Sequence, residues 1–345
     1  MQESKGALVP SPPSAHPLRS APRGQWVPDA TAEQLDRLAD DLDQNSIAIN
    51  TRRSYLSDWA SWLAFCERHR INSLPAEAAD VRRYLTQLGA VEGRKGAKLK
   101  PKTAQRHLAA IAAAHRAAGL AFDTQHPILT RTMNGILRTH GVRQEGARAL
   151  RAGDIAAICG ALRLDTRSIR NKAIILLGFA GGFRRSEIVG LNISDLAFED
   201  GVLRVILRRS KTDQTGEGRT IVIVPGENPQ TCPVGAVRTW LKKADIEHEG
   251  DSPVFRPVGR TGVEFTRLSD KTVDRIVKDA VRAAGLKDSY SAHSLRAGHV
   301  TEALAQGADR AAIKRQTGHR SDAMLDRYAR ETNLAANNSS SKVGL

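Results

Sequence analysis

The sequence predicts a mainly α-helical protein with a small β-sheet, arranged as a helical N-terminal domain and a mixed α+β domain after it. Three observations carry this. Apolar residues recur at helical spacing through most of residues 31–141. One stretch, residues 203–224, alternates at the period of strands instead. A glycine-containing polar segment at 142–149 separates the two patterns, and 345 residues is the length of about two domains.

Taken in order, residues 1–28 hold Pro10, Pro12, Pro13, Pro17 and Pro22 without a helical or strand period, and read as a flexible tail. The first domain spans 29–141. Thr31 and Gln34 have capping-box spacing and open a helix to about Asp43, whose acidic side chains at 36–43 suit solvent or a protein contact. Asn50 is placed to cap the next helix, with Tyr55, Trp59, Trp62, Leu63 and Cys66 as a core stripe rather than a platform for stacking. The region of Pro75 and Asp80 opens a third helix that turns Val81, Tyr84, Leu85 and Leu88 inward. Residues 89–102 form a cationic loop. Thr103 starts an Ala-rich helix through His107, Leu108, Ile111 and His115, stopped by Gly119, and another helix follows Pro127.

Residues 142–149 are a linker and 150–332 the second domain. There an apolar run at 173–180 breaks at Gly181 and Gly182, and a helix begins near Arg185. Leu203, Val205 and Leu207 alternate with Arg204, Ile206 and Arg208, and a matching run at 221–224 follows a polar turn. Helices are expected again at 234–243, 271–284, 294–306, 311–317 and 322–330, with a polar tail at 333–345. There is no internal repeat.

Charge narrows the functional classes. The chain carries 52 Lys and Arg against 37 Asp and Glu, a net +15, and residues 51–150 alone contribute 17 basic and 7 acidic side chains, or +10. Two-thirds of the excess in one helical region is the footprint of a polyanion partner. No apolar run reaches 18 residues and no basic-then-apolar segment opens the chain, so neither a membrane span nor a secretory signal is expected. Cys66, Cys159 and Cys232 form no C-x-x-C pair, which suits a reducing compartment. A Walker phosphate loop, a G-x-G-x-x-G turn, H-E-x-x-H and G-x-S-x-G are all missing. The chemistry falls to Arg, Lys, His and Tyr.

Four segments carry those residue types: G-F-R-R-S-E at Gly182–Glu187, S-K-T-D at Ser210–Asp213, H-S-L-R at His293–Arg296, and T-G-H-R at Thr317–Arg320 with Tyr328 nine positions after His319. Singly they are bland: a helix-end arginine, a solvated turn lysine, a capping histidine, a tyrosine covering a core. In this order they resemble the tyrosine recombinase, or phage integrase, family, and the N-terminal helices resemble the core-binding domain of its Cre-like and Xer-like members. The resemblance covers nearly the whole chain.

The resemblance implies a catalytic domain of the tyrosine recombinase type that cuts and rejoins duplex DNA through a 3′-phosphotyrosyl intermediate, with no metal and no cofactor. Tyr328 is then the nucleophile, and Lys211 the general acid for the departing 5′ oxygen. His293 and His319 assist proton transfer and hold the phosphate, and Glu187 orients the group. Arg184 and Arg296 suit the non-bridging oxygens, because guanidinium stays charged and forks onto phosphate. Arg296 lies one turn after His293, which puts both on one helix face. The implied partners are double-stranded DNA with paired, inverted half-sites and three further copies of the chain, a tetramer on two sites, in the cytoplasm. Two domains on a flexible linker are expected to clamp the duplex.

Arg94, Lys95, Lys98, Lys100 and Lys102 are candidate backbone contacts, and Arg106 and His107 candidates to read a groove. Many family members pass an apolar C-terminal helix to a neighbouring subunit. Here the residues after Tyr328 offer only Leu334, Val343 and Leu345 as larger aliphatics. The alternatives are a type IB topoisomerase-like enzyme and a non-enzymatic DNA-binding regulator; the latter leaves Arg184, Lys211 and Tyr328 unexplained.

Overall fold

Apolar stripes at helical spacing need a partner surface, and the first unit solves this with helices packed on one another. The computed structural model describes residues 49–91, 99–141, 148–208, 218–287 and 290–332. The chain divides into two units, Met1–Arg143 and Gln144–Leu345. The expected tail at 1–28, the helix from Thr31, residues 142–147 of the linker and the polar tail at 333–345 lie outside the described residues.

In the first unit, α1 (Ile49–His69) packs on α3 (Pro101–Ala117), and α2 (Ala78–Ala90) on α4 (Pro127–His140). Trp62, Phe65 and Cys66 from α1 meet Val81, Tyr84 and Leu85 from α2, with Leu108, Ile111, Leu129 and Ile136 closing the core. Asn50 falls inside the first turn of α1 rather than before it, and Leu63 faces solvent. Proline opens both α3 and α4, where its missing N–H costs nothing. His115 is fully buried and pins α3 to the chain ahead of α2. Its Nδ1 lies 2.8 Å from the Ile111 carbonyl, and its Nε2 accepts from the Ala76 N–H at 2.8 Å.

The second unit opens with α5 (Ala152–Ala161), a helix the sequence pattern does not predict, then α6 (Thr166–Ala180) and the short α7 (Arg185–Gly190). A 3-10 turn (Ile193–Asp195) leads into β1 (Leu196–Glu199), β2 (Val202–Leu207) and β3 (Arg219–Ile223), an antiparallel sheet of order β1-β2-β3. Strand β1 is a third strand beyond the two expected. The alternation anticipated for β2 holds: Leu203, Val205 and Leu207 are buried, and Leu203 and Val205 lie opposite Ile223 and Ile221. Five helices follow: α8 (Pro233–Ala244), α9 (Asp270–Ala283), α10 (Ala292–Ala305), α11 (Arg310–Thr317) and α12 (Asp322–Thr332).

Helix α10 is the hub of this unit, touching α6, α9, α11 and α12. Its Leu295 is fully buried in the main core beside Leu177, Phe183 and Trp240. Trp240 donates its indole N–H to the Val254 carbonyl at 2.8 Å, which satisfies its one polar atom. Gly298 lets the backbone approach closely: a Cβ there would lie 2.1 Å from the Leu150 carbonyl oxygen. No described helix is long and apolar enough to cross a membrane.

Candidate active site

The turn between α6 and α7 begins the site. The apolar run of α6 ends at Gly181, and Gly182 follows at φ +59°, a left-handed conformation. Phe183 plugs the core with no exposure. Arg184 then stands as the N-terminal cap of α7, and Glu187 reaches back to it. The Arg184 N–H donates to Glu187 Oε2 at 2.8 Å and Arg184 Nη1 donates to Oε1 at 2.6 Å. Glu187 is 2% exposed in its side chain, Arg184 17%. The far end of α7 is fixed as well: Arg267 Nη1 donates to the Val189 and Leu191 carbonyls at 2.6 and 3.1 Å.

Arg296, 1% exposed on α10, ties this turn to the helix hub. Its Nη1 donates to the Gly182 carbonyl at 2.7 Å and its Nη2 meets His319 Nε2 at 3.2 Å. Burial, then the Arg184 charge, lowers the Arg296 guanidinium to about 10, still protonated at neutral pH. His319 follows α11, and Thr317 fixes its tautomer. The Thr317 hydroxyl donates to the Ile313 carbonyl at 2.6 Å, so it accepts from His319 Nδ1 at 2.7 Å. That leaves Nε2 a lone pair for Arg296. Burial first, then Arg296 and Arg184, push the His319 imidazole down to about 3, so it is neutral.

His293, in the first turn of α10, is exposed to solvent. Desolvation by the flanking protein, then Arg296 and Arg184, lowers its pKa below the usual 6.5. Its Nε2 lies 3.4 Å from the Tyr328 hydroxyl of α12, longer than a strong hydrogen bond. The Tyr328 ring sits 6.1 Å from that of His319 and packs beside Val300, Ile313 and Leu325. Side chains from positions 184, 187, 293, 296, 319 and 328 thus share one site. Lys211 lies outside the described residues, between β2 and β3.

Two residues of the site escaped the sequence reading. Thr317 was visible as part of T-G-H-R, but nothing there marks its hydroxyl as the group that sets His319. Arg219, which opens β3, brings Nη2 to 3.6 Å from Glu187 Oε1. The signal for it is weak: one arginine ahead of a short alternating run.

The nucleic-acid candidates of the first unit fare differently. Arg94, Lys95 and Lys98 lie outside the described residues, and Lys100 and Lys102 are exposed at the start of α3. Arg106 is 44% exposed and forks onto Asp58, Nε to Oδ2 at 2.6 Å and Nη2 to Oδ1 at 3.0 Å. His107 is a correction. It is 6% exposed, with Nδ1 2.9 Å from the Tyr84 hydroxyl and Nε2 3.4 Å from Asp58, so it belongs to the core and cannot read a groove.

Known proteins resemble this chain in sequence and fold. The family model described as "Phage integrase family" matches residues 148–334. An integrase/recombinase xerD homolog from Selenomonas ruminantium is 34% identical over 319 residues, 90% of each chain. A tyrosine recombinase XerC from Syntrophus aciditrophicus is 28% identical over 87% of this chain and 92% of its own. Among solved structures, a lambda integrase (75–356) dimer bound to a COC′ core site aligns with TM-score 0.54 at 20% identity, covering 85% of this chain and 93% of that one. A lambda integrase tetramer bound to a Holliday junction gives TM-score 0.54 at 19% identity, over 85% and 75%. At such identities the structures share the fold.

Proposed function

As the chain belongs to the phage integrase family, we propose that it is a site-specific recombinase that cuts one DNA strand with Tyr328 and rejoins it to another. The observation that supports these roles is the convergence of Arg184, Arg296, His293, His319 and Tyr328 from three separate stretches of sequence. The Tyr328 oxygen attacks phosphorus, a bond to it forms, and the bond from phosphorus to the 5′ oxygen breaks. Neutral His293 is placed to take the tyrosine proton as the hydroxyl closes on Nε2. Lys211 gives a proton to the departing 5′ oxygen. Arg184 and Arg296 spread their charge over the non-bridging oxygens, and His319 holds the Arg296 fork in place. Bond energy stays in the phosphotyrosyl link, and a second 5′ hydroxyl reverses the step.

The partner is duplex DNA, approached by the +10 of residues 51–150. Exchange of two duplexes needs four strand cuts and each chain has one Tyr328, so four copies assemble on two sites. Lambda integrase is described in that stoichiometry on a Holliday junction. Tyr328→Phe tests the reading. It keeps the ring and its packing, so folding and DNA binding persist while the covalent protein–DNA adduct disappears. An adduct that survives denaturation with the Phe variant would assign the nucleophile elsewhere.

A further inference from the structure

Arg219, the first residue of β3, takes no part in the steps above, yet its three guanidinium nitrogens are buried against the site. Its Nη2 stands 3.6 Å from Glu187 Oε1, the oxygen that Arg184 Nη1 holds at 2.6 Å. The other carboxylate oxygen is engaged by the Arg184 backbone N–H. A Cβ at Gly318 would fall 2.1 Å from Arg219 Nη1, so the guanidinium lies against the turn that delivers His319. Its charge also helps lower the pKa values of both Arg296 and His319. Two guanidinium groups therefore share one buried carboxylate.

We propose that Arg219 is a positioning residue: it takes over the Glu187 carboxylate when Arg184 turns its fork onto the scissile phosphate. This rests on the recombinase reading of Arg184. The N–H that Arg184 Nη1 gives to Oε1 is one it cannot also give to a phosphate oxygen, so the carboxylate competes with phosphate for the fork. Leaving a carboxylate that is 2% exposed without its cation is costly, so alone Arg184 is held back by Glu187. Arg219 removes that restraint by closing in by about 0.7 Å, to ordinary hydrogen-bond distance. Arg184, Arg296 and Arg219 then carry three positive charges against two negative ones on Glu187 and the phosphodiester, so Glu187 keeps a cation of its own while two arginines face the phosphate.

The test is a cycle of Arg219→Ala and Arg219→Lys, each with and without Glu187→Gln. Single-turnover adduct formation is followed on a nicked duplex that the wild-type chain captures covalently from a randomised pool. Arg219→Ala slows cleavage on the order of 10- to 100-fold, the size typical for loss of a group that orients a ligating side chain. DNA affinity is unchanged, and sulfur in place of the 5′ leaving oxygen gives no rescue. Arg219→Lys restores most of the rate, since an ammonium can also pair with Oε1. In the Glu187→Gln background the alanine change costs nothing further, because no carboxylate competes for Arg184. Equal slowing in both backgrounds overturns the proposal, as does full activity of Arg219→Ala alone. If the alanine variant fails to fold, Arg219→Gln, uncharged but of similar reach, replaces it in the cycle. A wild-type chain that captures no duplex fails the recombinase reading itself, a result distinct from any pattern among the variants, and removes the proposal with it.

Discussion

Thr317→Val probes how the site keeps its cations in place. Thr317 has no exposure, and its hydroxyl joins the Ile313 carbonyl at 2.6 Å to His319 Nδ1 at 2.7 Å. Valine keeps the shape and removes both bonds. A buried N–H left without its acceptor costs about 1–3 kcal/mol, and the lost bond to Ile313 about 1 more. The sum, about 2–4 kcal/mol, lowers Tm by roughly 5–12 °C in a unit of this size. The imidazole also becomes free to carry its proton on Nε2, where it would face the Arg296 donor and displace the fork. Cleavage should fall on the order of 10- to 100-fold. Thermal unfolding by circular dichroism and single-turnover cleavage measure the two effects. Thr317→Ser loses a methyl group, about 0.8 kcal/mol, and keeps the hydroxyl, so it should cleave near the wild-type rate. A valine variant as fast as the serine variant would refute the tautomer argument.

Three further outcomes are expected. Lys211→Ala should regain cleavage when sulfur replaces the 5′ leaving oxygen, because a thiolate departs without a proton, whereas Arg184→Ala, about 10²–10³ slower, should not; rescue of both would remove the distinction between their roles. Stability should fall with acid. His319 and His299, the latter on α10, have folded pKa values of about 3 and 4, both depressed by burial first, so the unfolded chain binds more protons below about 6.5. Their contribution is complete above that pH and shrinks below it, by up to about 2 kcal/mol each at pH 5; a Tm that stays level from pH 7 to 5 would contradict their burial. Gly298→Ala should destabilise the second unit by about 1–3 kcal/mol or more, read as a lower urea midpoint, since its Cβ would collide with backbone rather than with a movable side chain.

Most of the fold could be read from spacing, because most helices present one apolar stripe. Helix α5 could not. Its sequence AGDIAAICGA is small and apolar on nearly every side, so no face stands out. Strand β1 is four residues, half-buried along most of its length, and lacks the alternation that marks β2. The proposed catalytic set could be named because its residues fall in a recognisable order. Their contacts were not, since His319 meets Arg296 across 23 positions and Arg296 meets Gly182 across 114. His107 shows the same limit. Neighbours Arg106 and His107 point about 100° apart on an Ala-rich helix, and it is Tyr84, 23 residues before His107, that marks the buried side.

The tie between Arg296 and the Gly182 carbonyl has a consequence for the newborn chain. During synthesis, the Gly182–Arg184 turn leaves the ribosome first and waits more than a hundred residues for the helix that braces it. Thr317 and His319 come later, and Tyr328 later still. On the proposed assignment, both arginines are therefore made before the tyrosine that would break a strand. Translation that stops before residue 328 would then release a polypeptide that lacks the proposed nucleophile and should form no covalent adduct with DNA.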